Sequence, residues 1–315
     1  MTRLSSNSVE FIGNEVVMRI LVLLALVGFG AQLVDGSLGM AYGVTSTTLL
    51  LAIGTNPAAA SASVHLAEIG TTLVSGLSHW RFGNVDWKVV LRVGVPGAIG
   101  AFAGATFLSN LTTDSARPFM SSILLVLGIY VLLRFTFTAL PKVRTDRTLG
   151  WGFLAPIGVV GGFLDASGGG GWGPVGTPTL LASGRIEPRK VVGSIDTSEF
   201  LVAVAASLGF LIGLSSEGFD LSWVAALLLG GVIAAPIAAW LVRHMPPRLL
   251  GSLAGGMIVF TNVRTLLISA SAPGGITSWI LGGVFLIWTA CVWVAVRSII
   301  NENRELAQKP LVTAD

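Results

Sequence analysis

The stretch FLDASGGGGWGPVGTPTLL, residues 163–181, places four consecutive glycines, Gly168 to Gly171, inside an otherwise apolar chain. Glycine weakens helices, and backbone without hydrogen-bond partners is costly in lipid. Two registers of the run, Gly168-x-Gly170-x-x-Gly173 and Gly171-x-Gly173-x-x-Gly176, fit a dinucleotide fingerprint. That fingerprint has meaning only between a strand and a helix of a βαβ unit, and no such pattern surrounds it. No Gly-Lys-Ser/Thr follows, so the run is not a phosphate-binding loop either.

Composition narrows the explanation. The chain is 53% hydrophobic and 11% charged, with a mean hydropathy of +0.80. Soluble domains carry about 25% charged residues. The reading is an all-α polytopic membrane protein. Lys and Arg number 19 against 16 acids, but they cluster in short loops such as Arg144–Arg147 and Arg185–Lys190. That pattern reports topology and excludes a nucleic-acid footprint. The single cysteine, Cys291, excludes an internal disulfide. Glu10 and Glu15 precede the first apolar run without a small-residue cleavage site, so no removable signal peptide is expected. Residues 1–15 read as a polar N-terminal segment, and 298–315 as a polar tail that frays from about Asn301.

The glycine run also has a counterpart. Laying 34–54 over 164–184 pairs Asp35 with Asp165, Ser37 with Ser167, Gly39 with Gly169, Gly43 with Gly173 and Thr47 with Thr177. One inserted residue later, Pro57 meets Pro188, Ser63 meets Ser194 and Glu68 meets Glu199. Each half then holds five apolar segments. They are 16–34, 39–53, 58–78, 89–109 and 117–137 in repeat 1 (16–137). In repeat 2 (148–270) they are 148–164, 173–184, 190–214, 222–243 and 249–270. A basic linker, 138–147, joins the halves, and an eleventh segment follows at 276–297. Segments 39–53 and 173–184 are too short for a straight crossing, which needs about 20 residues.

The loops fix the relation of the halves. Basic residues fall in 80–88, 138–147, 185–190 and 243–248; none falls in 54–57, 110–116, 215–221 or 271–275. Matching loops of the two halves therefore lie on opposite sides of the membrane, as an odd number of segments per half requires. The repeats are expected to be inverted, with the N-terminus outside and the C-terminus, carrying Arg297, Arg304 and Lys309, inside.

On this arrangement the two short segments are broken or re-entrant half-helices whose glycine turns lie near the midplane. Irregular backbone at that depth survives only when buried in protein or lining a cavity. The helix beginning near Gly173-Pro174 would aim free N–H groups and the positive end of its dipole at that cavity, an anion site. The expected substrate contacts are Asp35, Gly36, Ser37 and Gly39 in the first half. In the second they are Asp165, Ser167, Gly168, Gly169, Gly170, Gly171, Gly173 and Thr177. Tight helix packing is the competing reason for glycines, and it suits Gly97, Gly100 and Gly104.

The glycine-rich break before each short helix, the HWRFGNVDW loop at 79–87 and the duplicated halves resemble the TauE/SafE sulfite exporter family over roughly residues 20–297. The resemblance implies a bacterial-type plasma membrane and movement of a small sulfur-containing anion such as sulfite, a sulfonate or thiosulfate. The first half departs from the pattern: DGSLGMAYGVT, 35–45, has lost most of its glycines and lacks a counterpart of Pro174.

Five acids fall within apolar segments or at their tips: Asp35, Glu68, Asp165, Asp196 and Glu199. Intramembrane acids usually face the bundle interior and handle ions or protons. Ser61, His65, Glu68, Thr72, Ser75 and His79 form one polar stripe on the third segment, spaced four and three. Beside an anion such acids must be protonated, and burial favours the protonated form. Glu68, Glu199, His65 and Asp196 are the candidates for proton coupling; neutral hydrogen bonding between helices is the alternative. Arg264 either balances the substrate anion, pairs with an acid or snorkels to the outer interface. His65 and Glu68 have the i, i+3 spacing of metal-binding bundles, but the sequence displays no complete ligand set, so no metal and no cofactor are expected. No nucleophile–base pair marks an enzyme. The expected partners are a small anion and lipid. The GxxxG spacing of Gly100 and Gly104 suits packing within the chain or between subunits. A carrier of another small organic acid and a membrane scaffold subunit without transport are the rival readings.

Overall fold

The computed structural model describes residues 6–38, 40–137, 149–214, 221–241 and 247–308. These form eleven α-helices and, among the described residues, no strand. The first half contains α1 (Ser6–Leu38), α2 (Tyr42–Ala52), α3 (Pro57–Arg81), α4 (Trp87–Ser109) and α5 (Thr113–Phe137). The second contains α6 (Trp151–Gly168), α7 (Trp172–Ser183), α8 (Pro188–Gly213), α9 (Leu221–Leu241) and α10 (Pro247–Ser269), and α11 (Gly274–Gln308) follows. Stretches of α1, α4, α5, α8, α10 and α11 are long and apolar enough to cross a bilayer. The protein is an all-α, multi-pass membrane protein. Helices α2 and α7, of 11 and 12 residues, reach only about 16–18 Å, against a hydrocarbon core near 30 Å.

Local chemistry sets the boundaries. Asn56 accepts from the N–H groups of Ala58 and Ala59 and starts α3, with Pro57 in the first turn. Pro188 fills the same place in α8. Asp86 caps α4 through the N–H groups of Lys88 and Val89. Gly184, in the left-handed region at φ 61°, ends α7.

Both terminal helices extend past their apolar stretches. Helix α1 begins at Ser6, so the polar residues from there to Glu15 are helical ahead of the apolar stretch Val17–Asp35; Glu15 pairs with Arg19 one turn on, at 3.7 Å. Helix α11 continues to Gln308 where a frayed tail was expected. Arg248 anchors the extension, 3.0 Å from Glu302 and bonded to the Ser298 hydroxyl. The linker 138–147 lies outside the described residues.

The helices pair across the halves. Helix α1 packs on α9, and α6 packs on α4; α3 packs on α8, and α5 on α10. The α1–α9 and α4–α6 crossings are close. A Cβ at Gly230 would stand 1.9 Å from Ala25 O, and one at Gly100 would stand 2.1 Å from Val159 O. Small residues let backbones approach like this without any hydrophobic drive in lipid.

The connections sort by charge. The Asp86 N–H donates to Ser194 Oγ at 2.9 Å, and Arg92 Nη1 to Leu149 O at 2.6 Å. The end of α3, the start of α4 and the approach to α6 therefore gather with the start of α8 at one end of the bundle. At the other end Asn56 Nδ2 donates to Thr113 Oγ1 at 2.7 Å, and Arg117 to Gly54 O at 3.3 Å. The basic connections 80–88 and 185–190 share the first end; 54–57 and the start of α5 share the second.

Candidate functional site

The N-termini of the two short helices meet. A Cβ at Gly170 would stand 2.1 Å from Val44 N, one at Gly169 2.3 Å from Thr47 Cγ2, and one at Gly173 2.8 Å from Met40 Cβ. Gly169 and Gly170 have φ 77° and 141°, backbone that favours glycine. This differs from the expected open approach for a ligand: the space that glycine frees is filled by the opposite tip. A Cβ at Gly168 would meet Ile123 Cγ2 at 2.5 Å, and one at Gly171 the backbone of Leu164 and Asp165. In the first half the positive φ falls on Ala41, at 97°. The turn thus survives the loss of glycine there, at a cost of about 1–3 kcal/mol of strain.

Two aspartates hold these tips. Asp165 Oδ1 accepts from Gly171 N at 2.7 Å and Trp172 N at 3.0 Å. Asp35 Oδ1 accepts from Tyr42 N at 3.2 Å. The sequence reading left these N–H groups free for an anion; the structure fills them with the protein's own carboxylates, which suit the positive end of a helix dipole. What each tip still offers is hydroxyl chemistry. Thr47 and Thr177, the paired threonines of the two halves, are fully buried, and their hydroxyls have no partner among the described residues. Ser167, by contrast, donates back to Phe163 O within its own helix. Gly36 and Ser37 belong to the last turn of α1, and Gly39 lies outside the described residues.

The polar stripe of α3 faces inward as its spacing predicts: Ser61, His65, Glu68 and Thr72 are buried. Ser61 Oγ donates to Ala166 O at 2.8 Å. His65 Nδ1 lies 2.7 Å from Ser61 O, and its Nε2 lies 3.2 Å from Asp165 Oδ2. Ligand atoms of His65, Glu68 and Asp165 all come within 4.8 Å of one another. The third donor comes from another helix 100 residues away, which linear spacing could not display. The imidazole and two carboxylates could hold a divalent transition ion, with Ser61 O fixing the ring from behind. Such an ion would take the place of the direct contact between His65 Nε2 and Asp165 Oδ2.

Beside the tips lies a small polar cavity with room for about one water. Its walls are Asp35 from α1, Glu68 from α3, and Asp196 and Glu199 from α8, with Gln32, Tyr42, Thr71, Thr72 and Ser75 between them. Glu68 is 1% exposed, and neither of its carboxylate oxygens has a hydrogen-bond partner among the described residues. The structure therefore joins the proton-coupling candidates of both halves in one place. It leaves out Arg264, which is exposed on α10. Sequence reasoning missed Gln32, Tyr42 and Thr71. Each had a signal: Gln32 and Thr71 lie three residues from Asp35 and Glu68 on the same helix faces, and Tyr42 aligns with Trp172 as an aromatic opening each short helix.

Comparison with known proteins agrees with this architecture. A family model described as Sulfite exporter TauE/SafE matches residues 24–265. "Probable membrane transporter protein YtnM" of Bacillus subtilis (strain 168) is 52% identical over 287 residues, covering 91% of this chain and 96% of that protein. "Probable membrane transporter protein YdhB" of the same organism is 27% identical over 238 residues, 75% of this chain and 94% of the relative. "Probable membrane transporter protein YjnA", also from that strain, is 24% identical over 262 residues, 78% and 99% of the two chains. No solved structure matches.

Proposed function

The chain belongs to the TauE/SafE sulfite exporter family, and from that premise we propose that it is a secondary transporter moving a small sulfur-containing anion, sulfite, a sulfonate or thiosulfate, across the plasma membrane. The observation that carries the choice of site is the meeting of two half-length helices whose paired threonines, Thr47 and Thr177, keep buried hydroxyls without partners among the described residues. Buried hydroxyls are normally satisfied, and two without a partner among the described residues, at equivalent places, suit the oxygens of such an anion. Asp35 and Asp165 position the tips.

The two halves work as inverted repeats that alternate access to the tips. The exchange of α1–α9 with α6–α4, and the meeting of the end of α3 with the start of α8, support this symmetry. The basic connections face the cytoplasm, with the N-terminus outside and the C-terminus inside. Glu68 and Glu199, with His65 and Asp196, carry the coupling ion, a proton in the simplest scheme. The chemistry is transport and not catalysis.

Purified protein in liposomes tests the proposal. Radiolabelled sulfite, methanesulfonate and thiosulfate are offered outside, and uptake is compared with protein-free vesicles. Saturable uptake of at least one is expected. Uptake of simple carboxylates in place of all three would favour the organic-acid reading, and no uptake of any solute the scaffold reading.

A further inference from the structure

We infer that His65, Glu68 and Asp165 form a binding site for one divalent transition ion of the zinc class, and that the ion clamps the meeting tips by tying α3 to α6 and to the first turn of α7. The effect of the clamp on flux rests on the anion-transport reading; the site itself does not.

Three donors from two helices converge in the interior. His65 and Glu68 come from α3 and Asp165 from α6; each is at most 2% exposed, and one ligand atom of each lies within 4.8 Å of the others. Surrounding hydrogen bonds aim these atoms. His65 Nδ1 donates to Ser61 O at 2.7 Å, so Nε2 is the ring atom open to an ion. Asp165 Oδ1 is committed to the N–H groups of Gly171 and Trp172, which leaves Oδ2, 3.2 Å from His65 Nε2. Outer partners of this kind orient the ligands of a metal. Glu68 adds an independent observation. It is 1% exposed, and neither of its oxygens has a partner among the described residues. Buried carboxylates are normally paired or coordinate a metal.

The donor set selects the ion. One imidazole nitrogen with two carboxylate oxygens suits zinc and its neighbours, whereas magnesium and calcium take oxygen alone. The charge closes as well. Two ionised carboxylates and a neutral imidazole sum to minus two, so a dication leaves the buried site neutral. Bonds of about 2.0–2.2 Å set tetrahedral ligand atoms about 3.4 Å apart. His65 and Asp165 already stand near that separation, and rotation of the unpartnered Glu68 side chain brings in the third. Glu68 also borders the small polar cavity, whose room for about one water provides the fourth ligand.

The ion lies behind the contact between the tips. The second oxygen of Asp165 holds the first turn of α7, and a Cβ at Gly43 in the first turn of α2 would lie 3.0 Å from Glu68 Oε1. Without the ion, α3 and α6 are joined here by the His65–Asp165 contact and by the Ser61 hydroxyl on Ala166 O. With it, α7 leaves α3 only by breaking metal–carboxylate bonds. An ion so placed arrests the carrier and is not carried by it.

The test uses the full chain without a histidine tag, stripped by a chelator in detergent. Calorimetric titration with zinc should show one ion per chain with a Kd below about 1 µM. Cobalt should give the visible absorption bands of a tetrahedral site. Glu68→Gln should weaken zinc at least about a hundredfold, the upper end of what loss of an outer partner costs. Asp165→Asn serves if the first variant does not fold. His79→Gln with His244→Gln removes the other two of the three histidines in the chain and should bind as wild type. Absence of stoichiometric binding, or binding that this double variant abolishes and Glu68→Gln spares, overturns the site. Zinc-loaded protein is then reconstituted in liposomes with the three labelled anions. Flux should be lost and should return when a chelator removes the ion. Undiminished flux at full occupancy overturns the clamp. No flux of any anion, with or without zinc, removes the transport reading and the clamp with it, while the calorimetry still decides the site.

Discussion

His65 and Asp165 hold one proton between them. The Ser61 hydroxyl gives its hydrogen to Ala166 O, so His65 Nδ1, 2.7 Å from Ser61 O, must be a donor. Nε2 then faces Asp165 Oδ2 at 3.2 Å, and two lone pairs there would repel. A proton on either atom resolves this. The same carboxylate holds the α7 tip, so α3 and α7 are joined through Asp165.

Asp165→Asn should keep this joint and Asp165→Ala should break it. The amide retains an oxygen for the Gly171 and Trp172 N–H groups and offers an N–H to Nε2. Alanine leaves buried donors unsatisfied, at about 1–3 kcal/mol each. Thermal unfolding followed by tryptophan fluorescence in detergent should show the Asn variant near wild type and the Ala variant well below it. Equal losses would remove Asp165 as the link.

The tip threonines separate binding from folding. Thr47→Val and Thr177→Val remove hydroxyls that bond nothing among the described residues. Stability should hold or rise slightly, while KM for the transported anion rises about tenfold per hydroxyl, the equivalent of one lost hydrogen bond. A lowered unfolding midpoint with unchanged KM would make them packing residues.

Gly170→Ala should fail as a fold. Its Cβ would stand 2.1 Å from Val44 N at φ 141°, where no side chain can move aside. Ala41→Gly, at φ 97°, should be tolerated, because glycine relieves the strain stored there. Monodisperse yield on size-exclusion chromatography distinguishes the two; a well-folded Gly170→Ala protein would show that the tips do not touch as described.

Topology is tested in a Cys291→Ser background. Phe82→Cys and Glu187→Cys should share one accessibility to an impermeant thiol reagent, and Thr112→Cys the opposite one, since Asp86–Ser194 and Asn56–Thr113 mark opposite ends of the bundle. Labelling of position 187 from outside intact cells would reverse the proposed orientation.

Much of this fold was legible because lipid imposes simple rules. All eleven apolar segments became helices, and the two short ones became α2 and α7. The α3 stripe pointed inward as its three-and-four spacing requires. The site was legible only in part. Spacing shows which face a residue occupies but not what lies opposite, so Asp165 was assigned to a ligand when it caps its own following helix. Arg264 stayed open between a counter-charge, a partner for an acid and a snorkelling residue, because the sequence does not say which side of α10 faces the bundle. The tip glycines looked like room for substrate, and only the position of α2 shows that the room belongs to Val44 and Thr47.

Because the tips touch backbone to backbone, no rotation of a side chain can open a path between them. Opening requires α2 or α7 to shift as a body, and each is tethered at its first turn by an aspartate on the preceding helix. Such collective motion belongs to the microsecond-to-millisecond range and not to the nanoseconds of rotamer exchange. The molecule should therefore behave as a slow, tightly sealed carrier with no channel-like conductance, its turnover set by the rigid displacement of a half-helix.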